Sequence, residues 1–401
     1  MNKNILLKNN INRSYFKKNF YLKDKVKLNK IIKATLNSIN NKKNALHILS
    51  KKFDLNFHKT AINKLKNYKS VVLIGMGGSA LGAKAIYSFL RHKIKREFIF
   101  LDNLDQLKIE KIRKKNLKDF LFIIVSKSGN TLETLINTNL LKNKINKKNT
   151  IIITDKKSNL LNTFAKKNNF LQINHKDYIG GRYSVLSEVG MIPALFMNLK
   201  IKLFRKNLLN FLQLKKLFMI DSVVKLSHIF NSKKINSLIF LNYAPELNEF
   251  LYWCQQLIAE SLGKKGKGLL PVISSAPSDH HSLLQLYLDG PKDKLFYIFS
   301  SKLDKQMKIS PNIFGKKFSF VENKELSKVR DAQKKALIRV LQNKNIPYRE
   351  FKINKANEET LGELFSYFML ETVLLGNLMG ANPFDQPAVE QVKILTKEYL
   401  S

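Results

Sequence analysis

The stretch SVVLIGMGGSALG, residues 70–82, decides how the chain is read. Four apolar residues, 71–74, run into a glycine-rich turn, and AKAIYSFLRHK behind it has the spacing of an amphipathic helix. The same grammar recurs along the chain. FIFLD (98–102) follows, then FLFIIV (120–125) leads into SKSGNT and the helical LETLINTNLL, and TIIITD (150–155) precedes another amphipathic segment. A helical stretch near 211–229 separates this series from a second one. That series comprises SLIFLN (237–242), a helix-like segment over 246–262, KLFYIFS (294–300), helical DAQKKALIRVLQ (331–342) and YREFKI (348–353). Helical segments at 360–378 and 388–400 close the chain.

Strands alternating with helices specify the α/β class, with parallel sheets covered on both faces. At 401 residues the chain is too long for one ordinary core. The expected division is an N-terminal helical segment (1–69), a first α/β domain (70–210) and a second (211–401) that includes the C-terminal helices.

Composition excludes several classes. The hydrophobic fraction is 44%, normal for a globular protein, and no apolar run approaches the roughly 20 residues that span a bilayer. The basic N-terminus lacks the apolar core of a signal peptide, so the expected compartment is the cytoplasm. The single cysteine, Cys254, excludes an intrachain disulfide framework or a multi-cysteine metal site; within FLYWCQQLIAE it reads as a buried thiol. Lys and Arg number 71 against 30 acidic residues, a net charge of +41. The lysines are scattered among Asn, Ile and Phe, as A/T-rich coding favours, and no nucleic-acid module is visible. No nucleic-acid or membrane partner is expected, whereas the surplus attracts anionic substrates, sugar phosphates among them.

Two loops carry chemistry. Gly75, Gly77, Gly78 and Gly82 surround Ser79 where a strand enters a helix, so backbone can approach a ligand and free N–H groups can meet an anion. The pattern also fits the dinucleotide fingerprint, with Asp102 ending the next strand where a ribose-binding acid would lie. Alone it favours a nicotinamide enzyme; the paired glycine before Ser79 suits a polyol or a phosphate equally well. The second loop, Ser126-Lys127-Ser128-Gly129-Asn130-Thr131, gathers three hydroxyls and an ammonium at a strand end, an inventory for a phosphate dianion. It is not a P-loop.

Six motifs in order, GMGGSALG, SKSGNTLET, GGRYSVLSEVGMIPALF (180–196), AESLGKKGKGLLPV (259–272), SDHHSLLQLYLDGP (278–291) and NPFDQPAVEQVK (382–393), resemble the phosphoglucose isomerase family from about residue 70 onward. The resemblance implies two SIS domains, each a parallel sheet flanked by helices. It also implies a homodimer with active sites at the subunit interface and reversible isomerisation of glucose 6-phosphate and fructose 6-phosphate. It assigns the phosphate to Ser126, Lys127, Ser128 and Thr131, with Gly78 and Ser79 nearby. Proton transfer falls to Glu260, and Arg182 lies near the reacting carbons. His281, contributed by the other subunit, opens the ring, and Gln386 and Lys393 are the C-terminal site residues.

These residue types suit the chemistry. Ring opening needs a proton donor and an acceptor, and an imidazole and a tunable lysine supply them. A carboxylate then carries the proton from C2 to C1, while a guanidinium stabilises the enediolate. No metal or redox cofactor is needed. SKSGNT, in place of a threonine-rich loop, resembles the shorter bacterial branch, and Ala388 stands where the family has glycine. The competing readings are an NAD(P)-dependent oxidoreductase, from GMGGSA and Asp102, and a non-catalytic SIS-type sugar-phosphate regulator.

Overall fold

Residues 71–74, 120–125 and 151–153 are completely buried, with no alternation between faces, as expected of strands covered by helices on both sides. The computed structural model describes residues 4–15, 18–65, 67–116, 119–302 and 307–401. Its strands are β1 (Ile5–Asn10), β2 (Ser70–Ile74), β3 (Glu97–Leu101), β4 (Phe120–Val125), β5 (Thr150–Thr154), β6 (Leu171–Asn174), β7 (Ser237–Asn242), β8 (Leu270–Ser275), β9 (Lys294–Ser301) and β10 (Tyr348–Ile353). The helices are α1 (Lys18–Asn40), α2 (Lys59–Asn63), α3 (Leu81–Phe89), α4 (Gln106–Lys114), α5 (Leu132–Leu140), α6 (Leu160–Lys167) and α7 (Glu188–Phe196). They continue with α8 (Ile201–Phe204), α9 (Lys216–Asn231), α10 (Asn248–Leu262), α11 (Leu284–Asp289), α12 (Leu326–Asn343), α13 (Glu358–Leu378) and α14 (Glu390–Leu400).

The strands form two five-stranded sheets. The first has the order β3-β2-β4-β5-β6 and is parallel throughout. The second has the order β1-β10-β9-β7-β8, parallel except for β1. With helices on both faces, this is the expected α/β architecture. Helix α13, apolar nearly all round and buried along almost its whole length, packs against α1, α9 and α10 at the centre of the molecule. Cys254 is buried, as expected. No helix among the described residues is long and apolar enough to cross a membrane.

The N-terminal segment differs from the all-helical expectation. Helix α1 fits it, but Ile5–Asn10 is a strand paired antiparallel with β10 at the edge of the second sheet. Residues 44–53, NALHILSKKF, within the segment expected to be helical, form only a short 3-10 turn over Ala45–Leu49. Strands β6 and β8 were also not anticipated. β8 contains Pro271, which cannot donate to a ladder, and it accordingly occupies an edge.

A buried ion pair holds β1 in place. Arg349 on β10 pairs with Glu371 of α13 at 2.9 Å and donates to Tyr297 of β9 (2.7 Å), Ser222 of α9 (2.6 Å) and Asn9 of β1 (2.7 Å). Both charged side chains are nearly inaccessible. The pair therefore survives only because its remaining donors and acceptors are satisfied. Arg349→Met should destabilise the fold by about 3–5 kcal/mol by stranding the Glu371 charge, with much of the loss recovered in Arg349→Met/Glu371→Leu. Denaturant unfolding of both variants measures this.

His175, just after β6, is 2% exposed, and its Nδ1 lies 3.1 Å from the Lys176 carbonyl. Burial lowers its pKa to about 4, opposed by the hydrogen bond to the Lys176 carbonyl and assisted by the nearby Lys127 charge. The unfolded chain therefore binds this proton first as pH falls, and stability is lost between about pH 6.5 and 4. The full loss is about 3 kcal/mol. Thermal unfolding between pH 7 and pH 4.5 should show a shallower acid slope in His175→Gln than in the unsubstituted chain.

Candidate active site

The carboxyl ends of the first sheet present three loops side by side: 75–80 after β2, 126–131 after β4 and 175–182 after β6. Gly78 lies so close to the turn at Gly181 and Arg182 that a Cβ on it would overlap their backbone. Gly78 is thus needed to seat one loop on the other. Lys127 ties the second loop to the third by donating to the Asp177 carbonyl at 2.5 Å. Burial pulls this ammonium below the ordinary lysine value, partly opposed by the charges of Asp155 and Asp177.

Arg182 is the hub. Its side chain is 1% exposed, and its five N–H donors meet five acceptors. Nε bonds Ser261 Oγ (2.8 Å), Nη1 bonds Glu260 Oε2 (3.0 Å) and Gln386 Oε1 (2.6 Å), and Nη2 bonds the carbonyls of Pro383 (2.8 Å) and Asp385 (3.0 Å). One cation thus joins the first sheet's loops, the last turn of α10 and the segment before α14. Glu260 is held from its other side by Gln256, one helical turn earlier, whose Nε2 donates to Oε1 at 2.9 Å. With about a third of its side chain accessible, Glu260 keeps a face open to a ligand.

The 126–131 loop is preorganised by its own side chains. Ser126 Oγ and Thr131 Oγ1 are 2.9 Å apart, and Ser128 Oγ is 3.4 Å from the same Thr131 atom. The Gly129 N–H donates to Ser126 Oγ at 3.1 Å. Gly129 has φ +65° and its missing Cβ makes room for the Asn159 side chain, so any other residue here is excluded by space and by conformation. Helix α5 begins immediately afterwards without a side-chain cap, leaving N-terminal donors at the loop.

The structure thus gathers Arg182, Glu260 and Gln386 in direct contact, and Ser126, Lys127, Ser128 and Thr131 in one loop. Gly78 lies against the Arg182 turn, with half-buried Ser79 next to it. Among the described residues neither His281 nor Lys393 bonds to Glu260, whose partners are Arg182 and Gln256. His281 is exposed at the end of the 3-10 turn Ser278–His281, and Lys393 is exposed on α14, bonded to Glu390 at 2.6 Å. His280, to which no role is assigned, bonds the Tyr243 hydroxyl at 2.8 Å. Asp102 is engaged by Lys84, 2.8 Å away, rather than presented as a free ribose acceptor.

Sequence reasoning missed the supports. Ser261 and Tyr183 share a hydrogen bond beneath Arg182, and Lys264 pairs with Asp385 at 2.6 Å to fix the 382–386 segment. Gln256 had one legible signal, its position four residues before Glu260 on a helix. Among the described residues no cluster of three or more His, Cys, Asp or Glu side chains is placed to hold a metal ion.

The family model for phosphoglucose isomerase matches residues 23–401. The chain is 33% identical to the glucose-6-phosphate isomerase of Methanocaldococcus jannaschii over 346 residues, covering 82% of this chain and 84% of that protein. Among solved structures, a hypothetical protein of Thermus thermophilus superposes with a TM-score of 0.82 at 23% identity, covering 99% of this chain and 100% of that one. A glucose-6-phosphate isomerase of Chlamydia trachomatis gives 0.71 at 20% identity, covering 89% and 78%. At these identities the two structures speak for the fold, and the sequence matches speak for descent: the chain belongs to the phosphoglucose isomerase family.

Proposed function

We propose that this chain reversibly converts glucose 6-phosphate to fructose 6-phosphate, acting in the cytoplasm, where soluble sugar phosphates are found. The observation that carries the reading is the buried Arg182 holding the partly open carboxylate of Glu260, on a turn against which the 75–80 glycine loop is seated. The family match and the names of the relatives agree with it.

In this reading the substrate phosphate accepts hydrogen bonds from Ser126, Ser128 and Thr131 and from main-chain N–H groups, with Lys127 and Ser79 nearby. Ring opening protonates the ring oxygen and removes the anomeric hydroxyl proton, a task for Lys393 and for His281 of the partner subunit. Glu260 then takes the C2 proton, and the C2–H electrons form the C1=C2 bond as charge moves to the C1 oxygen. The C2 hydroxyl proton passes to the C1 oxygen, the C2 oxygen then becomes the carbonyl as the double-bond electrons take the proton back from the Glu260 carboxylic acid onto C1, and the enzyme is regenerated. Because every Arg182 N–H is already bonded, this buried guanidinium acts on the enediolate through its charge.

A homodimer with shared sites accounts for two further features. His281 is exposed and makes no hydrogen bond to Glu260, and α14 leaves Val392, Ile394, Tyr399 and Leu400 exposed on the helix that carries Lys393. A helix with that much uncovered apolar surface fits a subunit contact. The nicotinamide reading gains nothing comparable, since Lys84 occupies Asp102.

Glu260→Gln preserves the shape and an acceptor for Arg182 but removes the base. In a coupled assay from fructose 6-phosphate its kcat should fall by about 10²–10⁴-fold, with KM little changed. A variant with unimpaired kcat would exclude Glu260 as the proton carrier.

A further inference from the structure

Helix α6 starts against the 126–131 loop, and the loop completes its cap. Asn159, the N-cap residue, accepts from the Asn162 N–H at 2.8 Å, the usual service of an asparagine at that position. The two N–H groups between them go to the loop: Leu161 donates to the Gly129 carbonyl and Leu160 to Asn130 Oδ1, each at 3.1 Å. The first-turn donors that a helix cannot satisfy internally are thus taken up, two of them by the loop. A third tie lies beside them, where the Asp155 N–H donates to the Lys127 carbonyl at 3.2 Å.

These bonds differ in kind from those inside the loop. Ser126, Ser128 and Thr131 meet one another through hydroxyls, and a hydroxyl has a single proton to donate. Each hydroxyl that turns its proton to a phosphate oxygen therefore stops donating to its neighbour. The ties to α6 and Asp155 use main-chain carbonyls and an amide oxygen, acceptors that a phosphate does not engage. They persist, and they fix the backbone while the hydroxyls change partners. In the Leu160 tie the acceptor is a side chain, that of exposed Asn130, so it can be removed without altering the main chain.

We propose that Asn130 is a positioning residue for the substrate phosphate: its bond to the first turn of α6 holds the loop in the shape that makes the Ser126, Ser128 and Thr131 hydroxyls converge on the anion. The assignment rests on the reading of 126–131 as the phosphate loop. Asn130 acts through that shape and not by touching the ligand. Its loss lowers affinity for the phosphate group and leaves the chemistry at Glu260 alone, the pattern of uniform binding.

Steady-state kinetics with glucose 6-phosphate, together with competitive inhibition by inorganic phosphate, test this on the full-length protein. Asn130→Ala removes the acceptor. Leu160→Pro removes the donor from the other side, at the first position of a helix and after an extended residue, where proline is accommodated. Each should raise KM and the phosphate inhibition constant by about three- to tenfold, with kcat changed less than about twofold. The double variant should do no more than either single one, a coupling that a general loss of stability does not produce. A phosphate constant raised by Asn130→Ala but not by Leu160→Pro would make Asn130 a direct ligand and overturn the proposal. Ser126→Ala/Thr131→Ala separates the two levels. If it leaves phosphate inhibition unchanged, the phosphate reading of the loop falls and the proposal with it. If it weakens phosphate while Asn130→Ala and Leu160→Pro do not, the proposal alone falls. Should Leu160→Pro not fold, hydrogen exchange of the unsubstituted chain takes its place: saturating phosphate should slow exchange over residues 159–163, and no slowing there would overturn the proposal.

Discussion

Burying a guanidinium with every donor satisfied is the constraint around which this molecule is assembled. Arg182 can reach its five acceptors only if the turn after β6, the end of α10 and the 383–386 segment converge on one point. A buried charge tolerates little displacement of its partners, because each lost acceptor leaves an uncompensated N–H in low dielectric. The two sheets are thereby coupled through side chains as well as through apolar packing. Gly78 follows from the same demand, since the 75–80 loop must lie against the backbone that presents Arg182.

That arrangement also supports the role proposed for an acid at a helix end. Glu260 in isolation is an ordinary residue in the last turn of α10. Between Arg182 and Gln256 both its oxygens are fixed, one by charge and one by an amide from its own helix, while a third of the side chain stays accessible. Proton transfer between adjacent carbons needs a carboxylate that is oriented yet reachable, and this geometry provides both.

The buried strands were legible because their apolar runs are continuous and end in glycine or hydroxyl residues; β2, β4, β5, β7 and β9 all lie within a residue or so of their expected positions. The edges were not. β1 is half exposed and carries Lys8 and Asn9, so its pattern is hard to separate from a polar segment, and its pairing with β10 spans more than three hundred residues. Pro271 hid β8 for a reason that holds only in sheet interiors. Motif order picked out Arg182, Glu260 and Gln386, which the structure joins by direct hydrogen bonds, but Ser261, Tyr183 and Lys264 act through contacts between segments distant in sequence. His281 and Lys393 had a legible motif, yet the places proposed for them lie across a subunit boundary that one chain does not contain.

The most direct measurement is a crystal structure of the assembled protein with a hexose 6-phosphate bound. The phosphate should lie among Ser126, Ser128 and Thr131, with C1 and C2 about 3–3.5 Å from a Glu260 oxygen and Arg182 still bonded to that carboxylate. A phosphate bound elsewhere, or sugar carbons facing away from Glu260, would contradict the proposed isomerase chemistry.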